Sequence, residues 1–337
     1  MSAATAPTAP TETARPDVAE AFGSWTRRNA WVLGLLGLLV VLLVFTRIIQ
    51  PTYGVTGVQG LAISVLPLAL AAAAQAVVVI GGGIDLSIGS MMALTSVVSA
   101  ALMDEQTDEF GVAVVLLVLA LGLVLGAVNG ALVVLTRVPD IVVTLAMSYV
   151  WAGCALLVLK TPGGGSAQWL RDLVLGSVGN EWIPKAAVVL VVLVAVIWIP
   201  LARSRLGLSI YAIGSNPLAA FRSGVSVGRT KILAYVFTGL FSAIAGLSLT
   251  ASTGIGTPVP GPYTLLSVAA VVLGGVSLAG GRGGLFGPIV AVVILQLIRT
   301  DMTFLNVNTN LAVVLQGVIL IGVVMLGSFI QLRRARG

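Results

Sequence analysis

Between two strongly apolar runs the chain carries GGGIDLSIGS, Gly81 to Ser90. Gly81, Gly82 and Gly83 permit backbone conformations and close approaches that a Cβ forbids. Asp85, Ser87 and Ser90 then offer one carboxylate and two hydroxyls. An aspartate at the centre of a membrane helix costs about 2.5–3.5 kcal/mol on insertion scales, so Asp85 needs a function that repays it. Two roles suit it. Asp85 can cap the following helix by accepting N–H bonds from its first turn, the glycines fixing how two helices pack. Alternatively the interrupted segment lines a solute pathway, as unwound transporter helices do. The roles are compatible, because a rigid capped break can border a pathway.

Other chemistry is sparse. Histidine is absent, which removes the usual near-neutral proton carrier and the commonest metal ligand. The single cysteine, Cys154, lies in an apolar run and reads as a small buried hydrophobe, so neither a disulfide framework nor a metal site is expected. No paired carboxylates or nucleophile motif point to a catalytic residue. GGVSLAGGRGGLFGP (274–288) lacks the Gly-Lys-Ser/Thr ending of phosphate loops and follows no strand. Nucleotide binding is therefore excluded there, and no cofactor is expected in this chain. The segment does echo the first: 70–91 and 266–285 share an apolar run, a glycine pair and a small polar residue, which places Gly274, Gly275 and Ser277 beside the first set. A parallel internal repeat and chance similarity between Gly/Ala-rich segments explain the echo equally well.

A third motif, GSNPLAAFRSGVSVGRTK, is legible as a short helix. Asn216 suits the N-cap and Pro217 the first helical position. Ala219 and Ala220 form a small-residue face bordered by Arg222, and Gly224 stops the helix. So short a helix is not stable alone. It serves either as a membrane-surface turn or as a knob for a partner's groove.

The elements that carry these motifs follow from composition. The chain is 58% hydrophobic and 9% charged, with a mean hydropathy of +1.09, against about 25% charged residues in soluble domains. It is an all-α, polytopic membrane protein. Apolar runs near 31–49, 60–80, 86–103, 111–135, 141–159, 186–202, 232–251, 264–279, 285–299 and 311–330 predict about ten transmembrane helices, the eighth short. The net charge of +6 comes from basic residues scattered between apolar runs, which are topology signals rather than a nucleic-acid surface. They favour both termini in the cytoplasm. Residues 1–24 read as a disordered cytoplasmic tail, 25–332 as one transmembrane domain, and 333–337 as a basic cytoplasmic tail. The connection 160–185 mixes Gly-rich coil with an interfacial helix marked by Trp169 and Trp182, and 203–231 must be a structured cytoplasmic element.

Several of these stretches together resemble the permease subunits of bacterial ABC importers for simple sugars, of the ribose permease type, to which nucleoside and branched-chain amino-acid permeases are more distantly related. GGGIDLSIGS is similar to that family's GGIDLSVGS signature, AIGSNPLAAFRSGVSVGRTKI to its GxNxxAAxxSGIxVxxxK loop, and AAVVLGGVSLAGGRGGLFGP to its AVVLGGxSLxGGxG signature. NGALVVLTRVPDIVVTLAM (129–147) resembles a further pattern, which adds Asn129 and Thr144 to the candidate pathway or helix-break residues. The resemblance implies the ABC importer permease fold and a bacterial cell-membrane location. It further implies a second permease subunit, identical or different, and two ATP-binding cassette subunits or one fused tandem ATPase, which use ATP and Mg. An extracytoplasmic sugar-binding protein and membrane lipid complete the partners. Asn216, Pro217, Ala219, Ala220, Arg222 and Gly224 would form the coupling helix, with Leu218 where many importers carry glutamate. Asp140 and Ala152 depart from the family pattern; Asp140 reads as the N-cap of the fifth span. The function implied is inward movement of a pentose or hexose by alternating access, without enzymatic activity in this chain. The alternatives are a stand-alone secondary transporter or channel for a small polar solute, or an ABC permease for nucleosides or another small solute.

Overall fold

The computed structural model describes residues 18–259 and 261–308 together with scattered positions between 311 and 325. Apart from one hairpin, its elements are helices: α1 (Val18–Ile49), α2 (Val55–Ile80), α3 (Ile88–Met103), α4 (Asp108–Thr136), α5 (Asp140–Val158), α6 (Gln168–Val174), β1 (Ser177–Val178), β2 (Asn180–Pro184), α7 (Lys185–Leu193), α8 (Ile199–Arg203), α9 (Arg205–Ser215), α10 (Pro217–Arg222), α11 (Val227–Thr253), α12 (Tyr263–Leu273) and α13 (Phe286–Phe304). Helix α1 begins inside the expected tail, because VAEAF consists largely of good helix formers that extend the span behind it. Residues 1–17 and the basic tail 333–337 lie outside the described residues.

Among the described residues, seven helical segments are long and apolar enough to cross a membrane. One is α7 and α8 joined by a π turn, Val194–Trp198. That widened turn precedes Pro200, whose ring would clash with a carbonyl four residues back. The expected first, second, fourth to seventh and ninth runs are full-length helices, whereas α3 and α12, the third and eighth, are shorter than the roughly 20 residues a complete crossing needs. A glycine-rich segment bounds each: Gly81–Gly83 lie ahead of α3, and Gly274 and Gly275 end α12. The tenth run is helical at its described positions, Leu311 to Met325, and its remainder lies outside them.

Helix α2 is the axis of the bundle, buried at every residue from Val65 to Ile80, with α11, α12, α13 and α7 around it. The closest pair is α4 with α11. Gly122, Gly126 and Gly130 form one stripe along α4, and a Cβ on Gly126 would lie 2.1 Å from the Tyr235 carbonyl oxygen. Small residues permit such backbone contact where lipid gives no hydrophobic drive to association.

The two ends of the bundle differ. At one, α6 carries Trp169, whose indole donates to the Asp108 carbonyl at 2.9 Å. Positive φ at Gly176 and Gly179 then turns the chain into the β1–β2 hairpin, so Trp182 sits on a strand, 57% exposed, rather than on the expected interfacial helix. At the other end, α9 and α10 form an elbow between α8 and α11. The elbow end carries Arg203, Arg205, Arg222, Arg229 and Lys231; Glu105, Asp108, Glu109, Asp172 and Glu181 gather at the hairpin end.

Candidate functional site at the glycine breaks and the elbow

Both glycine pairs end a helix in the same way. Gly81 (φ −72°, ψ −1°) and Gly274 (φ −69°, ψ −1°) close α2 and α12, and Gly82 and Gly275 follow with φ of 84° and 82°. In each case two N–H groups fold back onto orphan carbonyls: Gly82 and Gly83 onto Val79 and Val78, Gly275 and Val276 onto Val272 and Val271, all at 3.0–3.1 Å. This is the left-handed C-terminal cap that glycine adopts without penalty. The sequence echo is therefore a shared backbone motif.

The breaks meet at the elbow. Gly281 N–H donates to Ile80 O at 2.8 Å, and a Cβ on Gly214 of α9 would lie 1.8 Å from Ile80 O and 2.6 Å from Gly281 N. Three backbone segments touch directly, two residues before Asn216. They lie at the elbow end of full-length α2, not halfway along a helix.

Beyond the first break, polar side chains hold the chain against α4 and α5. The Ser87 N–H and hydroxyl both donate to Asp85 Oδ1, at 2.7 and 2.6 Å. Asn129 Nδ2 donates to Ser87 Oγ at 2.7 Å, and the Trp151 indole donates to Asn129 Oδ1 at 3.2 Å. Because an indole N–H can only donate, every bond in this relay points toward the Asp85 carboxylate. Thr144 Oγ1 accepts from Leu86 N at 3.0 Å, and Ser90 Oγ donates to Ser87 O at 2.8 Å. Asp85, Ser87, Asn129 and Thr144 are all 0% exposed. Asp85 does not cap α3 as expected; it accepts an N–H ahead of the helix, whose N-cap, Ser87, makes no side-chain capping bond. In the second break Ser277 is half-buried and closes its loop through the backbone, donating to Arg282 O at 3.1 Å.

Asp140 departs from expectation too. Helix α5 starts there without a side-chain cap, and the carboxylate reaches across to α11, meeting Lys231 Nζ at 2.8 Å and Tyr235 OH at 3.1 Å. A nearby ammonium attracts a carboxylate more strongly than an amide N–H does. Gly83 is packed under this pair: a Cβ there would come 2.2 Å from Asp140 Oδ2.

In the elbow, Ser204 caps α9 by accepting from Gly207 N at 3.0 Å. Asn216 Oδ1 accepts from Ala219 N at 3.0 Å, Pro217 opens α10, and Gly224 follows it with a φ of 85°. Tyr211, its phenol raised above the ordinary value by burial, donates to Gly283 O at 2.8 Å and fastens α9 to the second break. The expected pair of exposed alanines is divided. Ala219 faces out with Arg222, whereas Ala220 is only 5% exposed, because consecutive residues on a helix point about 100° apart. The outward face is completed by Leu218 and Phe221, 59% and 66% exposed.

Sequence reading missed a stripe of side chains on α13. Gln296, Arg299, Thr300 and Thr303 follow an i, i+3, i+4, i+7 spacing on a largely apolar helix, apart from the buried Asp301, and line one polar recess with Ser64 and Tyr263. That periodicity was available as a signal. Among the described residues, no three His, Cys, Asp or Glu side chains converge to hold a metal ion.

Comparison with known proteins agrees with this architecture. The family model described as branched-chain amino acid transport system / permease component matches residues 57–324. The ribose import permease protein of Bacillus subtilis (strain 168) is 32% identical over 299 residues, covering 86% of this chain and 90% of that protein. Its counterpart in Escherichia coli (strain K12) is 29% identical over 300 residues, 87% and 93% of the two chains. The autoinducer 2 import system permease protein of Escherichia coli (strain K12) is 30% identical over 327 residues, 91% and 94%. No solved structure matches. With its helical membrane bundle, its paired glycine caps and a family match over most of its length, the chain belongs to the branched-chain amino acid transport system / permease component family.

Proposed function

We propose that this chain is the translocating subunit of an ATP-driven importer that carries a monosaccharide or a similar small polyhydroxylated solute across the bacterial inner membrane. The relatives named for ribose and autoinducer 2 import support the solute class. The carrying observation is the elbow. Helix α10 presents Leu218, Ala219 and Phe221 outward while α9 behind it touches both glycine breaks through Gly214. A partner that pushes on α10 thus moves the backbone at the ends of α2 and α12 without a flexible link between. The partner is an ATP-binding cassette subunit, which holds the ATP and Mg; a second permease subunit and an extracytoplasmic binding protein complete the assembly. The basic elbow end faces the cytoplasm by the positive-inside rule. No covalent step is assigned to this chain, and alternating access requires two conformations that ATP and the loaded binding protein bias differently.

The test is reconstitution in proteoliposomes with the ATPase and binding protein. Ala219→Trp and Phe221→Ala should each lower binding-protein-stimulated ATP hydrolysis about tenfold, while membrane insertion is kept. D-ribose uptake by the chain alone, driven by an ion or sugar gradient and insensitive to both substitutions, would instead establish the stand-alone transporter.

A further inference from the structure

We infer that the recess between α2, α12 and α13 is a water-filled subsite for a small neutral polyhydroxylated solute, opening at the hairpin end. This rests on the transport function proposed above and deepens it by naming where the solute touches the chain.

The recess has a volume of about 230 Å³ and is lined by Ser64, Tyr263, Gln296, Arg299, Thr300 and Thr303. That is below the roughly 300–1,000 Å³ of drug-sized ligand sites, as befits a smaller guest. Its depth follows from helix length. Helix α12 has 11 residues and rises about 16 Å at 1.5 Å per residue. Tyr263, its first residue, therefore lies about halfway across a hydrocarbon core of roughly 30 Å. Tyr263 forms the floor, and Arg299 and Thr303 the rim.

Lipid cannot comfortably cover this face. Arg299 is exposed, and among the described residues the only ion pair is Lys231 with Asp140. An arginine turned to hydrocarbon is costly, about 2.5–3.5 kcal/mol at a helix centre and less toward the rim, and here three more polar side chains, Gln296 deeper among them, share its stripe. The stripe must look onto water or a polar guest.

The lining suits hydroxyl groups, which both donate and accept. Gln296, 7% exposed, is held by its Nε2 donating to Ser64 O at 2.7 Å. The hydroxyls of Thr300 and Thr303 donate backward to Gln296 O and Arg299 O at 2.9 and 3.0 Å, which leaves their oxygens free to accept. Arg299 supplies a fork of donors, and the half-buried Tyr263 offers a ring face for the C–H side of a sugar. No carboxylate lines the recess, so it does not select cations. Asp85, Ser87, Asn129 and Thr144 are sealed from solvent, whereas this recess is open.

The experiment uses the whole importer, with Cys154→Ala as background. In intact cells, Thr300→Cys should react with an impermeant methanethiosulfonate reagent, and saturating D-ribose should slow that reaction at least threefold. In proteoliposomes, Tyr263→Ala and Gln296→Leu should each reduce ribose taken up per ATP hydrolysed about tenfold. Tyr263→Phe, which keeps the ring, should stay within threefold, and Leu265→Ala, 63% exposed beside the site, should match the parent. An unreactive Thr300→Cys, meaning that lipid or a second copy covers the face, overturns the subsite. So does a reactive one whose labelling ribose leaves unchanged, or uptake per ATP equal to the parent in both loss variants. Failure of the importer function itself is distinguishable: the parent complex would then move ribose without ATP, whatever the labelling shows.

Discussion

The two glycine breaks share one backbone shape and are secured by different forces. The first, Gly81–Ser87, is held by side chains: the relay from Trp151 through Asn129 and Ser87 to Asp85, the Thr144 hydroxyl on Leu86 N, and the Asp140–Lys231 pair above Gly83. The second, Gly274–Leu285, is held by backbone contact. A Cβ on Gly287 would lie 2.0 Å from Gly274 O, and one on Gly274 would lie 2.1 Å from Pro288 N. Two long-range side-chain bonds reach it, the Trp31 indole donating to Leu273 O and the Tyr211 hydroxyl donating to Gly283 O, both at 2.8 Å. A local cap motif thus fixes how a helix stops, while the neighbours decide how firmly the stop is fastened. Polar bonds tolerate a conservative replacement; backbone contact tolerates no added atom.

The strongest way to break this comparison is to add one methyl group at each break. Gly287→Ala has only backbone to push against and should destabilise the purified permease by about 3 kcal/mol, at the upper end of overpacking costs. Gly83→Ala meets a movable Asp140 carboxylate instead and should cost clearly less. Thermal unfolding in detergent followed by tryptophan fluorescence ranks the two, and equal losses would erase the distinction.

A smaller effect is expected from the carboxylate of the first break. Asp85→Leu removes the acceptor for two buried donors and should cost about 1–3 kcal/mol. Asp85→Asn keeps an oxygen for Ser87 and should cost less than about 1 kcal/mol. Unfolding midpoints and the yield of folded protein from membranes measure both. If both variants behave like the parent, the relay contributes nothing and glycine geometry alone makes the first break.

The smallest change sharpens the contrast. Trp31→Phe keeps most of the ring packing and deletes one indole N–H, so the second break should lose about 0.5–1.5 kcal/mol. Hydrogen exchange at the end of α12 should rise, while exchange at the end of α2 stays as it was. Equal loosening of both ends would mean that the breaks open as one unit through Gly281 and Ile80.

Much of this molecule is written in short stretches of sequence. Apolar runs place the full-length helices, because lipid demands continuous helix at each crossing. Asn216, Pro217 and Gly224 specify α10 through contacts no more than a few residues apart. The glycine pairs specify their caps for the same reason. The polar stripe of α13 was equally legible as a periodicity, although its meaning needed the recess it lines.

Everything that joins distant segments belonged to the tertiary structure. Asp140 meets Lys231 across 91 residues and so leaves the cap of its own helix. Asp85 is enclosed by Ser87 and, across the α3–α4 contact, by Asn129, and so is sealed from solvent in this structure. Ala220 turns inward because α10 packs against α9, and α12 stops at the elbow end because its glycine cap meets the start of α13. Sequence by itself determined the full-length helices, the glycine caps, the start of α10 and the membrane setting, since these depend on residue type and on neighbours a turn or two away. Only folding decided which polar groups are sealed and which face water, since exposure depends on which helix arrives opposite, and no single segment encodes that.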